Sequence, residues 1–119
     1  MADIRMGPAE TEFAEIIWAG EPITSGALSK KADEVLHWKK TTSFTVLKRL
    51  CERGIFQNQN GIVTSLISRD EFFARHSEQY VQDNFGGSLP AFMAAFSTHK
   101  KLTDKEIEEM KHLIEKMRG

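Results

Sequence analysis

Lys39–Gly54, KKTTSFTVLKRLCERG, is the stretch whose reading decides the fold. At ~100° per residue, Ser43, Val46, Leu47 and Leu50 fall at i, i+3, i+4 and i+7 and make one stripe to bury. The opposite face centres on Thr41, Thr45, Lys48 and Glu52, with Phe44 and Arg49 on its flanks. Short hydroxyls and cations on the solvent side are what a groove-reading helix presents. Gly54 supplies the stop at C′, and Ile55-Phe56 begin something extended.

Charge sharpens this reading. Between Lys39 and Arg53 stand five Lys or Arg against one acid, Glu52, whereas the whole chain of 119 residues has 16 Lys+Arg against 17 Asp+Glu. Positive charge is therefore local, and a near-neutral protein can still neutralise phosphates through such a patch. The plainer alternative is an amphipathic core helix whose Lys and Arg only keep it soluble.

Upstream, Gly7-Pro8 opens a first helix with Phe13, Ile16 and Ile17 on one face and Ala9 a turn earlier. Gly20-Glu21-Pro22 breaks it and leaves Ile23 extended. Thr24 then caps a second helix running through Leu28 and Ala32. Trp38 is expected to anchor the third helix against the second, and Trp18 to serve the same purpose at the end of the first. Downstream, Ile55–Asn58 and Ile62–Ile67 are two β-favouring runs joined through Gln59-Asn60-Gly61, whose Asn-Gly is a strong hairpin signal. Three helices and a hairpin make a winged helix. This wing has no Lys or Arg between Gly54 and Ser68, so phosphate contacts from it must come from Gln, Asn or backbone N–H groups.

Ser68-Arg69-Asp70-Glu71 reads as a capping box opening a helix that carries Phe72, Phe73, His76 and Tyr80 and stops at Gly86-Gly87. Ser88-Leu89-Pro90 restarts a short helix with Phe92, Met93 and Phe96. Thr103 to Glu106 is a second capping box, before a stripe of Ile107, Met110, Ile114 and Met117 with Leu113 beside it. These faces have no further chain to cover them, which points to a second copy, with flexible Met suited to a helical interface. The alternative is that they fold back onto the N-terminal helices. The expected fold class is mostly α, an α+β winged helix: residues 1–67 a three-helix helix-turn-helix core with a short β-hairpin wing, residues 68–119 a helical dimerisation region.

In order and spacing these pieces resemble the penicillinase repressor (BlaI/MecI/CopY) family of winged-helix transcriptional regulators. The carriers are AETEFAEIIW with Glu12 through Trp18, Trp38, TTSFTVLKRLCERGIF, the hairpin, the Gly86-Gly87 break and LTDKEIEEMKHLIEKM. The likeness covers nearly the whole chain. It implies a homodimeric repressor whose two winged helices enter the major groove of a dyad-symmetric double-stranded DNA operator. With the outward face of the helix, this leads to the expectation that Thr41, Thr42, Phe44 and Thr45 face base edges while Lys39, Lys40, Lys48 and Arg49 contact phosphates. Dimerisation would fall to Phe92, Met93, Phe96, Ile107, Met110, Leu113, Ile114 and Met117. Thr41 stands where Lys is common in the family, Thr42 matches its Thr, and Phe44 replaces an Arg. A guanidinium reads guanine bidentately, so the family's usual operator is not expected here. Penicillinase-type members are inactivated at an Asn-Phe bond, and the matching bond is Ala95-Phe96, which keeps the Phe and lacks the Asn. A regulatory protease is therefore a candidate partner.

Other classes fit less well. Cys51 is the only cysteine, which leaves no internal disulfide and no cysteine-rich copper-responsive tail, and favours a packed side chain over a reactive thiol. His37, His76, His99 and His112 lack metal-ligand spacing, and no nucleophile motif or phosphate loop is present, so neither enzyme activity, metal nor cofactor is expected. The N-terminus has no long apolar run, which predicts a cytoplasmic protein with no membrane partner. The serious competitor is a winged helix used for protein contact, supported by the uncharged wing, the net charge of −1 and Phe44.

Overall fold

The computed structural model describes residues 3–119, leaving residues 1 and 2 of the expected first domain outside the described residues. Its elements are α1 (Pro8–Gly20), β1 (Ile23–Thr24), α2 (Ser25–Leu36), α3 (Lys40–Glu52), β2 (Phe56–Gln59), β3 (Ile62–Ser65), α4 (Arg69–Phe85), α5 (Leu89–Phe96) and α6 (Asp104–Lys116). This is the mostly helical α+β winged helix that the sequence predicts. The chain divides into two units, Met1–Ser77 and Glu78–Gly119, with the division inside α4. Among the described residues no helix is long and apolar enough to cross a membrane.

The first unit is built from local signals that agree with one another. Pro8 sits in the first turn of α1, where its missing N–H is harmless, and the Glu10 carboxylate reaches back to the Gly7 N–H at 3.4 Å. Thr24 caps α2, its hydroxyl accepting from the Ala27 N–H at 3.1 Å. α2 ends at His37, which takes a left-handed conformation at φ 59 and turns the chain toward α3. On α3 the buried residues are Ser43, Val46, Leu47 and Leu50, the stripe read from the sequence.

These helices close over Phe13, Ala14 and Ile17 of α1, Leu28 and Ala32 of α2, and Ile55, Phe56, Val63, Ile67 and Phe72 beyond α3. Each fully buried Phe, Leu, Ile or Val contributes ~1.5–3 kcal/mol by leaving water. The face of α1 is turned slightly from expectation: Ala14 is buried, Ile16 is half-buried and Ala9 is exposed. Trp38 meets α1 as well as α2. Its ring lies 5.1 Å from that of Phe13, and its backbone N–H donates to the Ala32 carbonyl at 3.4 Å. Trp18 packs against Phe56 and Phe72, both at 5.3 Å, and its indole N–H donates to the Ile67 carbonyl at 3.0 Å.

The sheet has three strands in the order β1-β3-β2, all antiparallel. The hairpin closes at the Gln59↔Ile62 pair, so its loop is Asn60-Gly61, with φ of 54 and 83. Positive φ at both positions is what a tight hairpin turn of the I′ kind requires, and Asn-Gly supplies it with little strain. The third strand, β1, is only Ile23–Thr24, paired with Val63 and Ile62. Extended geometry at Ile23 was expected, but its membership of the sheet depends on a partner 40 residues away. Ser25 N–H also donates to the Gly61 carbonyl at 2.8 Å, and the Glu21 carboxylate accepts from the Ser65 N–H and hydroxyl at 2.8 Å.

The start of α4 departs from its expected capping box. Ser68 Oγ accepts from the Glu71 N–H at 3.1 Å, but the Glu71 carboxylate pairs with Arg75 at 2.7 Å instead of turning back. Arg75 stands four residues on, in the position where a cation competes best on a helix. The box at α6 forms completely: Thr103 Oγ1 accepts from the Glu106 N–H at 3.1 Å and the Glu106 carboxylate from the Thr103 N–H at 3.0 Å. Glu106 has Met110 four residues on, which offers no competing charge.

In the second unit Gly86 and Gly87, at φ 57 and 84, separate α4 from α5. Rings of Tyr80, Phe85, Phe92 and Phe96 meet at centroid separations from 5.6 to 6.3 Å. No residue of Glu78–Gly119 is buried.

Candidate nucleic-acid interface

The outer face of α3 follows from its inner one. Burial of Ser43, Val46, Leu47 and Leu50 fixes the helix's rotation, and Lys40, Thr41, Thr42, Thr45, Lys48, Arg49 and Glu52 are exposed. Lys39, the N-cap residue, is exposed too and makes no side-chain cap. The first N–H groups of α3 therefore have no side-chain acceptor, which leaves a partial positive charge facing outward. Phe44 is half-buried, with the Lys40 ammonium 5.7 Å from its ring centroid. Thr45 donates its hydroxyl to the Thr41 carbonyl at 2.8 Å.

The five cations of this stretch are not equivalent. Arg53 turns away: its guanidinium donates to the Arg5 carbonyl at 2.6 Å and lies 3.4 Å from Glu10. Arg49 reaches the same carboxylate more loosely, at 3.9 Å. Lys39, Lys40 and Lys48 make no salt bridge among the described residues. The N-terminal segment that engages Arg53 carries its own pair, Asp3 with Arg5 at 3.0 Å. Hydrogen bonds from the Arg5 side chain and backbone hold the Asp3 carboxyl down at about 2.

One cation was missed in the sequence reading. Lys30 of α2 lines a cleft of about 470 Å³ together with Gly26, Ser29, Asp33, Trp38, Lys39 and Lys40. The signal was present in Lys30-Lys31, but only the packing of α2 against α3 brings Lys30 to the α3 start. The wing adds Asn58, Gln59 and Asn60, all exposed and uncharged. Asn58 is partly engaged, since its side-chain oxygen accepts from the Gly61 N–H at 3.0 Å.

Cys51 is half-buried, and burial first, then Glu52, pushes its thiol pKa up. It is a packed side chain and not an activated thiolate.

In the second unit Phe92, Met93 and Met110 are half-buried. Phe96, Ile107, Leu113, Ile114 and Met117 are 42, 37, 57, 58 and 64% exposed. Ala95 and Phe96 form the exposed end of α5.

Comparison with known proteins gives a consistent result. The sequence model of the penicillinase repressor family matches residues 6–116. A penicillinase repressor of Bacillus licheniformis is 22% identical over 115 residues, covering 93% of this chain and 90% of that protein. A penicillinase repressor of Staphylococcus aureus is 19% identical over 115 residues, covering 93% of this chain and 91% of that protein.

Proposed function

We propose a function from a fixed premise: this chain belongs to the penicillinase repressor family, whose members are transcriptional repressors. We infer that it acts as a homodimer on a double-stranded operator of dyad symmetry, with α3 of each copy in a major groove. Thr41, Thr42, Phe44 and Thr45 meet base edges. Lys39, Lys40, Lys48 and Arg49, joined by Lys30, meet phosphates. Residues 1–67 carry DNA binding and residues 68–119 carry pairing.

The observation that supports this most is the solvent-facing side of α3. Hydroxyls, and lysines that make no salt bridge among the described residues, share it with a helix start that has no side-chain cap, a combination suited to phosphate oxygens. Pairing is supported by the large apolar side chains left uncovered on α5 and α6. Release of repression by cleavage at Ala95-Phe96 is supported by the exposure of both residues, and Phe96→Asp should block it.

Selecting bound duplexes from a random pool at low salt tests the reading. Two half-sites ~10–10.5 base pairs apart, or a multiple of that, are expected. Affinity should fall steeply with salt, and Lys48→Ala should lower the salt slope by about one for every sequence. Thr45→Ala should relax preference at one position only. Protein contact is the second reading, favoured by the uncharged wing and by Glu10 drawing on Arg49 and Arg53. Absence of any DNA binding at low salt would favour it over the first.

A further inference from the structure

We infer that Phe44 makes the reading face of α3 select a thymine by its 5-methyl group, a specificity that rests on the DNA-binding reading above. Phe44 is half-buried, yet among the described residues it is not one of the side chains packed against the buried core. A large apolar ring is thus left at the edge of the outer face of α3, half exposed and outside the core cluster. Lys40, one turn earlier, sets its ammonium 5.7 Å from the ring centroid. Attraction between that charge and the π-face steadies the ring and keeps a phosphate-seeking group beside it.

The neighbouring side chain points the same way. Thr45 Oγ1 donates to the Thr41 carbonyl at 2.8 Å, so its proton is engaged within the helix. What Thr45 offers a base is an acceptor oxygen and a methyl group, not a donor. Guanine presents two acceptors, N7 and O6, in the major groove, whereas thymine presents one acceptor, O4, and the one methyl group among the standard bases. A ring pressed against guanine would strip water from two acceptors and return no donor, a desolvation cost without compensation. Against thymine the same ring covers an apolar group. Discrimination is therefore two-sided, toward 5-methylpyrimidines and away from guanine.

The test uses the full-length protein and a duplex selected from the random pool. Each thymine is replaced in turn by uracil, which keeps the pairing and O4 and lacks only the methyl. At one position in each half-site, uracil should bind about fourfold more weakly, the effect of one buried methyl-sized group. Phe44→Ala should bind thymine and uracil alike at that position, and Phe44→Arg should shift the selected base there toward guanine. The scan with the parent protein needs no variant, so a folding defect in either substitution leaves it intact. Equal binding of uracil and thymine at every position of a tightly bound duplex would overturn this inference and leave DNA binding standing. Failure to select any duplex would overturn both.

Discussion

Met1–Ser77 and Glu78–Gly119 are made from similar residues and use them in opposite ways. All thirteen hydrophobic side chains buried among the described residues lie in the first unit, including Phe13, Phe56 and Phe72. The second has Phe85, Phe92, Phe96, Ile107, Leu113 and Ile114, and buries none of them. Capping does not separate the two, since α5 and α6 are capped as well as α2. What differs is enclosure. In the first unit, two tryptophans and a three-stranded sheet wrap the helices, whereas in the second the helices carry apolar side chains that stay exposed or half-buried. Local signals are enough to start and stop a helix, but a core needs surfaces from several directions.

The largest expected effect is loss of enclosure where it exists. Phe13→Ala should cost about 3–5 kcal/mol in urea unfolding, because a fully buried ring leaves a cavity. Phe96→Ala, measured on the same protein at concentrations too low for association, should stay within about 0.5 kcal/mol. Equal losses would erase the contrast. Next comes the uncovered face: Leu113→Glu with Ile114→Glu should weaken self-association by about 2 kcal/mol or more in sedimentation while unfolding of the first unit is unchanged. A parent protein that sediments as one copy would remove the ground for that prediction.

Smaller effects sharpen the contrast. Ser43 is buried and its hydroxyl has no hydrogen-bond partner among the described residues. Ser43→Ala should therefore stabilise the first unit by about 1 kcal/mol, since an unsatisfied buried polar group is removed. The smallest effect belongs to the exposed second unit. Bonds from the Thr103 backbone N–H, then its hydroxyl, hold the Glu106 carboxyl below the ordinary value of 4.5. A depressed folded value means that this contribution is fully present above 4.5 and is lost as pH falls through the folded value. NMR titration of Glu106 should show the lowered midpoint, and Thr103→Ala, which removes the hydroxyl and keeps the backbone N–H, should raise it only part of the way.

The α3 stripe and the Asn-Gly turn were legible because each is set within a few residues. The Glu71 competition was legible in principle, since Arg75 stands at i+4. The pairing of Ile23–Thr24 with Ile62–Val63 was not, because two residues carry no period and the partner is distant. Arg53 counted as part of the outward charge because nothing local to it reveals Glu10, 43 residues away, as its counter-charge. Lys30 was passed over for the same kind of reason. At the candidate interface, sequence showed which groups α3 exposes, and packing showed which of them remain unpaired.

The Gly61 carbonyl that accepts from Ser25 carries one more implication. A hairpin tied at its far end, and again where Glu21 grips Ser65 and Trp18 grips Ile67, cannot slide by one step without undoing every one of those attachments. A slip would also turn Val63 outward and Ile62 inward. The flap is thereby stapled to the body in a single alignment, so any partner that meets the wing must do the conforming.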